Sequence, residues 1–174
     1  MQENNQGITT LHELLDYDAR SFTSAEVALK NNIPGWRDKA NSLMLKTVLQ
    51  KYLDFVNQHI DKMESFFSDE NITSLRLDNR VMQAFIDETK ERLANCEDAE
   101  VKDACLLACI QAINHFKIST YGTAASFAKT LGMEKYALVF HEAEVNEKQI
   151  DDRLSQLAEF EINRKANMPF SLTE

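Results

Sequence analysis

The sequence predicts an all-α protein, a bundle of four long helices with one short extra helix. Three observations carry that prediction. The 174 residues include only 4 glycines and 2 prolines, too few turn-formers for the hairpins of a sheet-rich fold. Apolar residues recur at three- and four-residue spacings over long stretches, the pattern of one helix face. The stretches also begin at residues suited to capping a helix. With hydrophobic residues at 44% and charged residues at 27%, the chain suits one domain that buries its own core without disulfides.

The first helix is expected to start at Thr10, where Thr10 and Glu13 form a capping box. Its stripe runs through Ile8, Leu11, Leu15, Phe22, Leu29 and Ile33, until Pro34-Gly35 breaks or kinks it. The second runs from the cap residues Asn41-Ser42 to about Phe67, through Leu45, Leu49, Tyr52, Val56, Ile60 and Met63. A polar connection over residues 68–79 leads to a shorter helix between about Arg80 and Leu93, packed outside the bundle or at one end. The third long helix starts at Asp98 and stops at Gly132. One of its stripes is Leu106, Cys109, Ile113, Phe116, Phe127, Leu131; its neighbour is Leu107, Ile110, Asn114, Lys117, Tyr121, Ala124. The last helix points Val139, Ala143, Asn146, Ile150, Leu154 and Leu157 inward, with Glu142 alongside. Residues 9–165 then form the bundle, between a disordered N-terminal tail at 1–8 and a frayed C-terminal tail at 166–174.

Composition excludes several functions. A net charge of −9 without a basic stripe repels phosphate backbones and anionic lipid, so neither nucleic acid nor membrane is an expected partner. No run approaches the roughly 20 apolar residues of a membrane span. Met1 to Gly7 is polar and lacks the apolar core of a secretory signal, which points to the cytoplasm. Cys96, Cys105 and Cys109 do not make a disulfide framework. Cys105 and Cys109 share a helix face, where they read as small buried residues or, alternatively, as a two-thiolate metal site. No glycine-rich phosphate loop, Gly-x-Ser-x-Gly turn or Cys-His pair supports catalysis by a nucleophile.

What remains is a set of polar residues at core spacing, at least one on each long helix: Glu26, His59, Asn114 with Lys117, and Glu142 with Asn146. A carboxylate within an apolar stripe is costly unless something pairs with it. Bundles that hold two metals place a Glu on each of two helices and a Glu-x-x-His on each of the others.

Asp98-Ala99-Glu100-Val101-Lys102-Asp103-Ala104, Asn114-His115-Phe116-Lys117 with Tyr121-Gly122-Thr123, and Leu131-Gly132 resemble the YciE/YciF-type ferritin-like family. Ser24-Ala25-Glu26 with Asn32-Ile33-Pro34 is similar to that family's first helix. The resemblance spans about Leu11 to Ala158. It implies a ferritin-like four-helix bundle, a bacterial stress-associated protein, a homodimer and a candidate di-iron centre. Glu26, His59 and Glu142 match positions of that centre. Phe55 stands where a carboxylate is expected, with Asp54 as the alternative alignment. Asn114 and Lys117 interrupt a run that usually supplies Glu residues, and Asn146 replaces another acid.

Two iron ions bring a charge of +4 or more, which several carboxylates must balance. Here few remain and a lysine has moved in. Two readings follow: a non-catalytic, metal-free bundle acting in stress, or a metalloprotein holding iron or a single ion through Glu26, His59 and Glu142. The apolar surplus expected for a dimer interface includes Phe66, Phe67 and Phe116. In the metal-free reading Lys117 neutralises Glu26 and Glu142, while Asn114 and Asn146 satisfy the remaining polar groups.

Overall fold

Four of the helices begin where a side chain takes over free amides of the first turn. Thr10 accepts from the Glu13 N–H while Glu13 reaches back to the Thr10 N–H, completing the capping box. Ser42, Asn79 and Asp98 accept from the N–H of Leu45, Met82 and Val101. The computed structural model describes residues 7–72 and 77–167. The helices are α1 (Leu11–Lys39), α2 (Leu43–Asp69), α3 (Arg80–Asn95), α4 (Ala99–Thr130) and α5 (Glu134–Leu157). A π-helical turn, Ala158–Ile162, and α6 (Asn163–Ala166) complete the described chain, which contains no strand. The tails expected at 1–8 and 166–174 lie mostly outside the described residues, as do residues 73–76 of the polar connection.

Short turns make two hairpins, α1–α2 and α4–α5, and contacts of α2 with α5 and α1 with α4 close the four-helix square. The α4–α5 turn needs glycine: Gly132 has φ +73°, and Met133 N–H bonds back to Ala128 C=O at 2.9 Å, a Schellman ending. The short helix α3 lies outside, against α1 and α4. No helix among the described residues is long and apolar enough to cross a membrane.

The sequence expectation fails at two places in the fold. Pro34 lies inside α1 and does not end it. Continuing the helix carries Trp36 and Ala40 into the core, which outweighs the lost backbone hydrogen bond. Phe66 and Phe67 are buried among Tyr136 and Phe140, and Phe116 packs against Phe85 of α3. None of the three is surplus surface.

Two apolar halves make up the core. One gathers Leu29, Ile33, Trp36, Leu49, Val56, Ile110, Ile113, Ile150 and Leu154; the other gathers Leu15, Met63, Phe66, Ala124, Ala128 and Phe140. The polar positions of α1, α2, α4 and α5 fall between them. At the far end of the first half, the buried Asp103 carboxylate accepts from Asn41 N–H at 2.7 Å and Ser42 N–H at 2.6 Å. It thereby caps α2 from α4, and Ser42 Oγ continues the link to Glu161 at 3.0 Å.

Hydrogen bonds to a buried carboxylate of this kind contribute roughly 1.5–3 kcal/mol. Asp103→Ala is expected to cost about 2–3 kcal/mol in urea unfolding at unchanged slope. A loss below about 0.5 kcal/mol would show that water or the Ser42 cap does this work instead.

Candidate functional site

Glu26, His59, Asn114, Lys117, Tyr121 and Glu147 converge in the layer between the two apolar halves, and all are buried. The Lys117 ammonium lies 2.5 Å from Glu147 Oε1 and 3.0 Å from Glu26 Oε2. It also stands 4.7 Å from the centre of the Tyr52 ring, a favourable place for a cation. His59 Nδ1 is 3.1 Å from Glu26 Oε1 and 3.6 Å from Glu147 Oε1. The Tyr121 hydroxyl donates to the same Glu26 Oε1. Asn114 Nδ2 donates to Glu147 at both its backbone carbonyl (3.0 Å) and Oε2 (2.7 Å). Asn146, half-buried, places its carboxamide 3.4 Å from His59 Nε2. That amide serves either charge state of the ring, offering N–H to neutral imidazole or, turned over, its oxygen to imidazolium.

Periodicity places these side chains. On α2, Tyr52, Phe55, Val56 and His59 share one face, and Phe55 stacks nearly parallel over His59 at 6.4 Å and 8°. Phe55 thus walls the layer as a ring and offers it no ligand. Asp54, the alternative alignment, is exposed and accepts from Gln50 at 3.0 Å. On α4, positions 114, 117 and 121 follow a three–four spacing inward.

On α5 the sequence expectation is corrected. Glu142 is 60% exposed and pairs with Lys62 at 2.5 Å; the carboxylate in the layer is Glu147. From Ala143 to Ile150 a stripe can step three then four residues, through Asn146, or four then three, through Glu147. Both are legal helix spacings, so periodicity leaves them equal. The sequence reading rightly gave Lys117 a second carboxylate on α5 but chose Glu142, which meets Lys62, where Glu147 meets Lys117. His12, His115 and His141 are surface residues paired with Glu70, Asp151 and Glu144. The Cys105 thiol is pushed up to about 12 by burial and by neighbouring Cys96 and Cys109, which disfavours a thiolate metal site.

Burial raises every carboxyl pKa in such a layer, and the partners decide the outcome. For Glu26, Lys117, His59 and Tyr121 outweigh burial and bring it down to about 2. Glu147 is raised: burial and the repulsion of Glu26 exceed the pull of Lys117. Lys117 itself is held above its ordinary value, because Glu147 and Glu26 overcome its desolvation. Burial and the same carboxylates push Tyr52 and Tyr121 well up, so both remain neutral donors.

Known proteins share this fold. The description DUF892, a domain of unknown function, matches residues 10–167. Protein YciF of Escherichia coli (strain K12) is 30% identical over 144 residues, covering 82% of this chain and 87% of YciF. The chain belongs to the DUF892 family, the YciE/YciF type of ferritin-like bundle. The crystal structure of the E. coli stress protein YciF superposes with a TM-score of 0.85 at 26% identity, covering 90% of this chain and 99% of that one. YcfI of Rhodopseudomonas palustris shares the fold, with a TM-score of 0.84 at 23% identity over 88% of this chain and 98% of YcfI.

As a metal centre of the ferritin-like kind, this DUF892 layer is degenerate. Three ligand side chains, Glu26, His59 and Glu147, bring donor atoms within 4.8 Å of one another. Two metals call for about twice that donor set, and the ammonium of Lys117 already lies between the two carboxylates. The residues present do not fit a di-iron pair.

The pKa directions give opposite limbs of a stability profile. Glu26 contributes stability that is fully present above about pH 4.3 and lost as pH falls through about 2. Glu147, raised, offsets part of it above about pH 4.3. Lys117 contributes fully below about pH 10.4 and loses its contribution as pH rises through its raised value. Thermal melts should show a shallower acid limb for Glu26→Gln and a shallower alkaline limb for Lys117→Met. Mutant profiles parallel to the parent at both ends would contradict these assignments.

Proposed function

We propose that this protein is a non-catalytic, metal-independent member of its family, a structural or interaction protein of the stress response. In it a side-chain cation replaces the metal of a ferritin-like bundle. The observation that carries this reading is the position of Lys117 Nζ, within 3.0 Å of both Glu26 and Glu147. An ammonium there supplies the positive charge that the carboxylates need and repels an incoming metal ion. The stress role rests on kinship with the E. coli stress protein YciF. The free thiols of Cys96, Cys105 and Cys109 suit the reducing cytoplasm.

Breaking a buried pair by removing one partner commonly costs about 3–5 kcal/mol. Lys117→Met is therefore expected to destabilise the fold by that order. Adding Glu26→Gln and Glu147→Gln should recover much of the loss, since neutral amides need no counter-ion. Elemental analysis of protein from iron-supplemented cells should find well under one iron per chain, and Lys117→Glu should raise metal affinity. Two tightly held irons in the unaltered protein would overturn the proposal; one ion, lost in His59→Ala, would favour the single-metal reading through Glu26, His59 and Glu147.

The homodimer is likewise a proposal. Phe66, Phe67 and Phe116 serve the fold, so the candidate interface moves to the groove between α2 and the π-helical turn. There Met44 and Phe160 are 53% and 61% exposed beside Val48, Phe55 and Leu157. Exposed apolar side chains over an apolar floor, edged by Lys51, Arg153 and Glu161, suit a contact surface, and a second copy is the occupant the family resemblance implies. Light scattering at micromolar concentration should give twice the chain mass, and Phe160→Asp should give the monomer. A monomeric parent protein would end this proposal.

A further inference from the structure

On the side of the bundle away from that groove, α1, residues 77–81 and α4 line an open cleft of about 820 Å³, within the range of small-molecule sites. Its wall on α1 carries Asp18, half-buried. Among the described residues no cation and no hydrogen-bond donor pairs with this carboxylate, and burial alone raises its pKa. Two other acids of the bundle do have a cationic neighbour: Asp16 lies 3.4 Å from His12, and Asp69 lies 2.6 Å from Lys135. An unpaired carboxylate in a partly desolvated wall is costly until a cation meets it.

Three further features narrow the ligand. Phe22 and Phe116 lie in the cleft lining, with Tyr17 also in the wall, and aromatic faces attract organic cations. Ser119, Thr120 and Thr123 of α4 also line it, and their hydroxyls make no hydrogen bond among the described residues. Elsewhere Thr23, Thr47, Thr89 and Thr130 tie theirs to the carbonyl four residues earlier. The hydroxyls facing the cleft are thus available as acceptors for N–H groups. Finally, Asp18 and Asp78 against Arg80 leave the lining one negative charge in excess. An inorganic ion is a poorer match: the three-ligand groupings among the described residues lie elsewhere, and rings contribute nothing to a tightly hydrated ion.

We infer that this cleft binds an aliphatic ammonium ion, its charge paired with Asp18, its carbon chain on Phe22 and Phe116, and its N–H groups on the α4 hydroxyls. The inference is independent of whether the buried layer holds metal.

Calorimetric titration of the full chain with putrescine tests it, with 1,4-butanediol as the neutral analogue of equal length. Binding is expected for putrescine and not for the diol. Asp18→Asn should weaken it at least tenfold, while Asp38→Asn, which removes an exposed acid on the same helix outside the cleft, should change it less than twofold. A thermal melt shows that Asp18→Asn is folded; its melting temperature should hold or rise, because an unpaired charge has been removed. Absence of putrescine binding overturns the inference, as does equal binding of the diol. Equal weakening in both variants does so too, since it would mean diffuse attraction to an acidic chain.

Discussion

One ammonium group, surrounded by four helices, sets the terms for the rest of this structure. Lys117 is buried where its charge would be prohibitive alone, and its relief comes from Glu26 on α1 and Glu147 on α5. Those carboxylates are in turn held by His59 and Tyr121 on one side and Asn114 on the other. Contributions from all four long helices must therefore coincide at one height. The apolar halves on either side impose no such demand: leucine, isoleucine and phenylalanine accept small slides and rotations at modest cost. Turning α5 by one residue would exchange Glu147 for Asn146 and strand the ammonium's shortest contact. Directional, charged pairing specifies the register, and apolar burial supplies the bulk of the stability.

Much of this fold could be read from residues alone, because helix physics is local. The capping box of Thr10 and Glu13, the Asp98 cap and the Gly132 stop each need only a few neighbouring positions, and all three are where the sequence places them. Of the two outcomes expected at Pro34, the break does not occur, because its local effect is overruled from a distance by what Trp36 gains in the core. The centre was legible in part. Glu26, His59, Asn114 and Lys117 stand out as polar members of apolar stripes, whereas Glu147 could not be separated from Asn146 or Glu142 by spacing. A one-residue choice on a helix is a rotation of about 100°, and only the partner across the bundle decides it. Asp103 was invisible for a related reason, since its role is to cap a helix that begins 61 residues earlier.

Kinship with YciF extends over nearly the whole bundle. The superposition extends over 90% of this chain, although the layer here has phenylalanine, asparagine and lysine at positions where the resemblance leads one to expect metal-binding acids. A bundle built around positive charge needs something to supply it, and a lysine reaching from α4 does so without an exogenous ion. Phe55 completes the exchange, stacking on the one histidine that remains.

The partners of Lys117 also have a consequence for the order of folding. Residues 26, 59, 117 and 147 are widely separated in sequence: Lys117 meets Glu147 within the α4–α5 hairpin, but Glu26 and His59 join them only when the α1–α2 hairpin has docked. The hairpins α1–α2 and α4–α5 close locally, across turns of a few residues, and so at little entropic cost. Until they dock, one side of the layer is open to water, and dehydrating its charged groups before all partners arrive would be costly. The charged layer is thus expected to be the last part of the interior to lose its water. Interactions formed after the rate-limiting barrier slow unfolding while leaving the folding rate nearly unchanged. A polar centre completed at that stage would act as a kinetic latch, closing late and holding the assembled hairpins together.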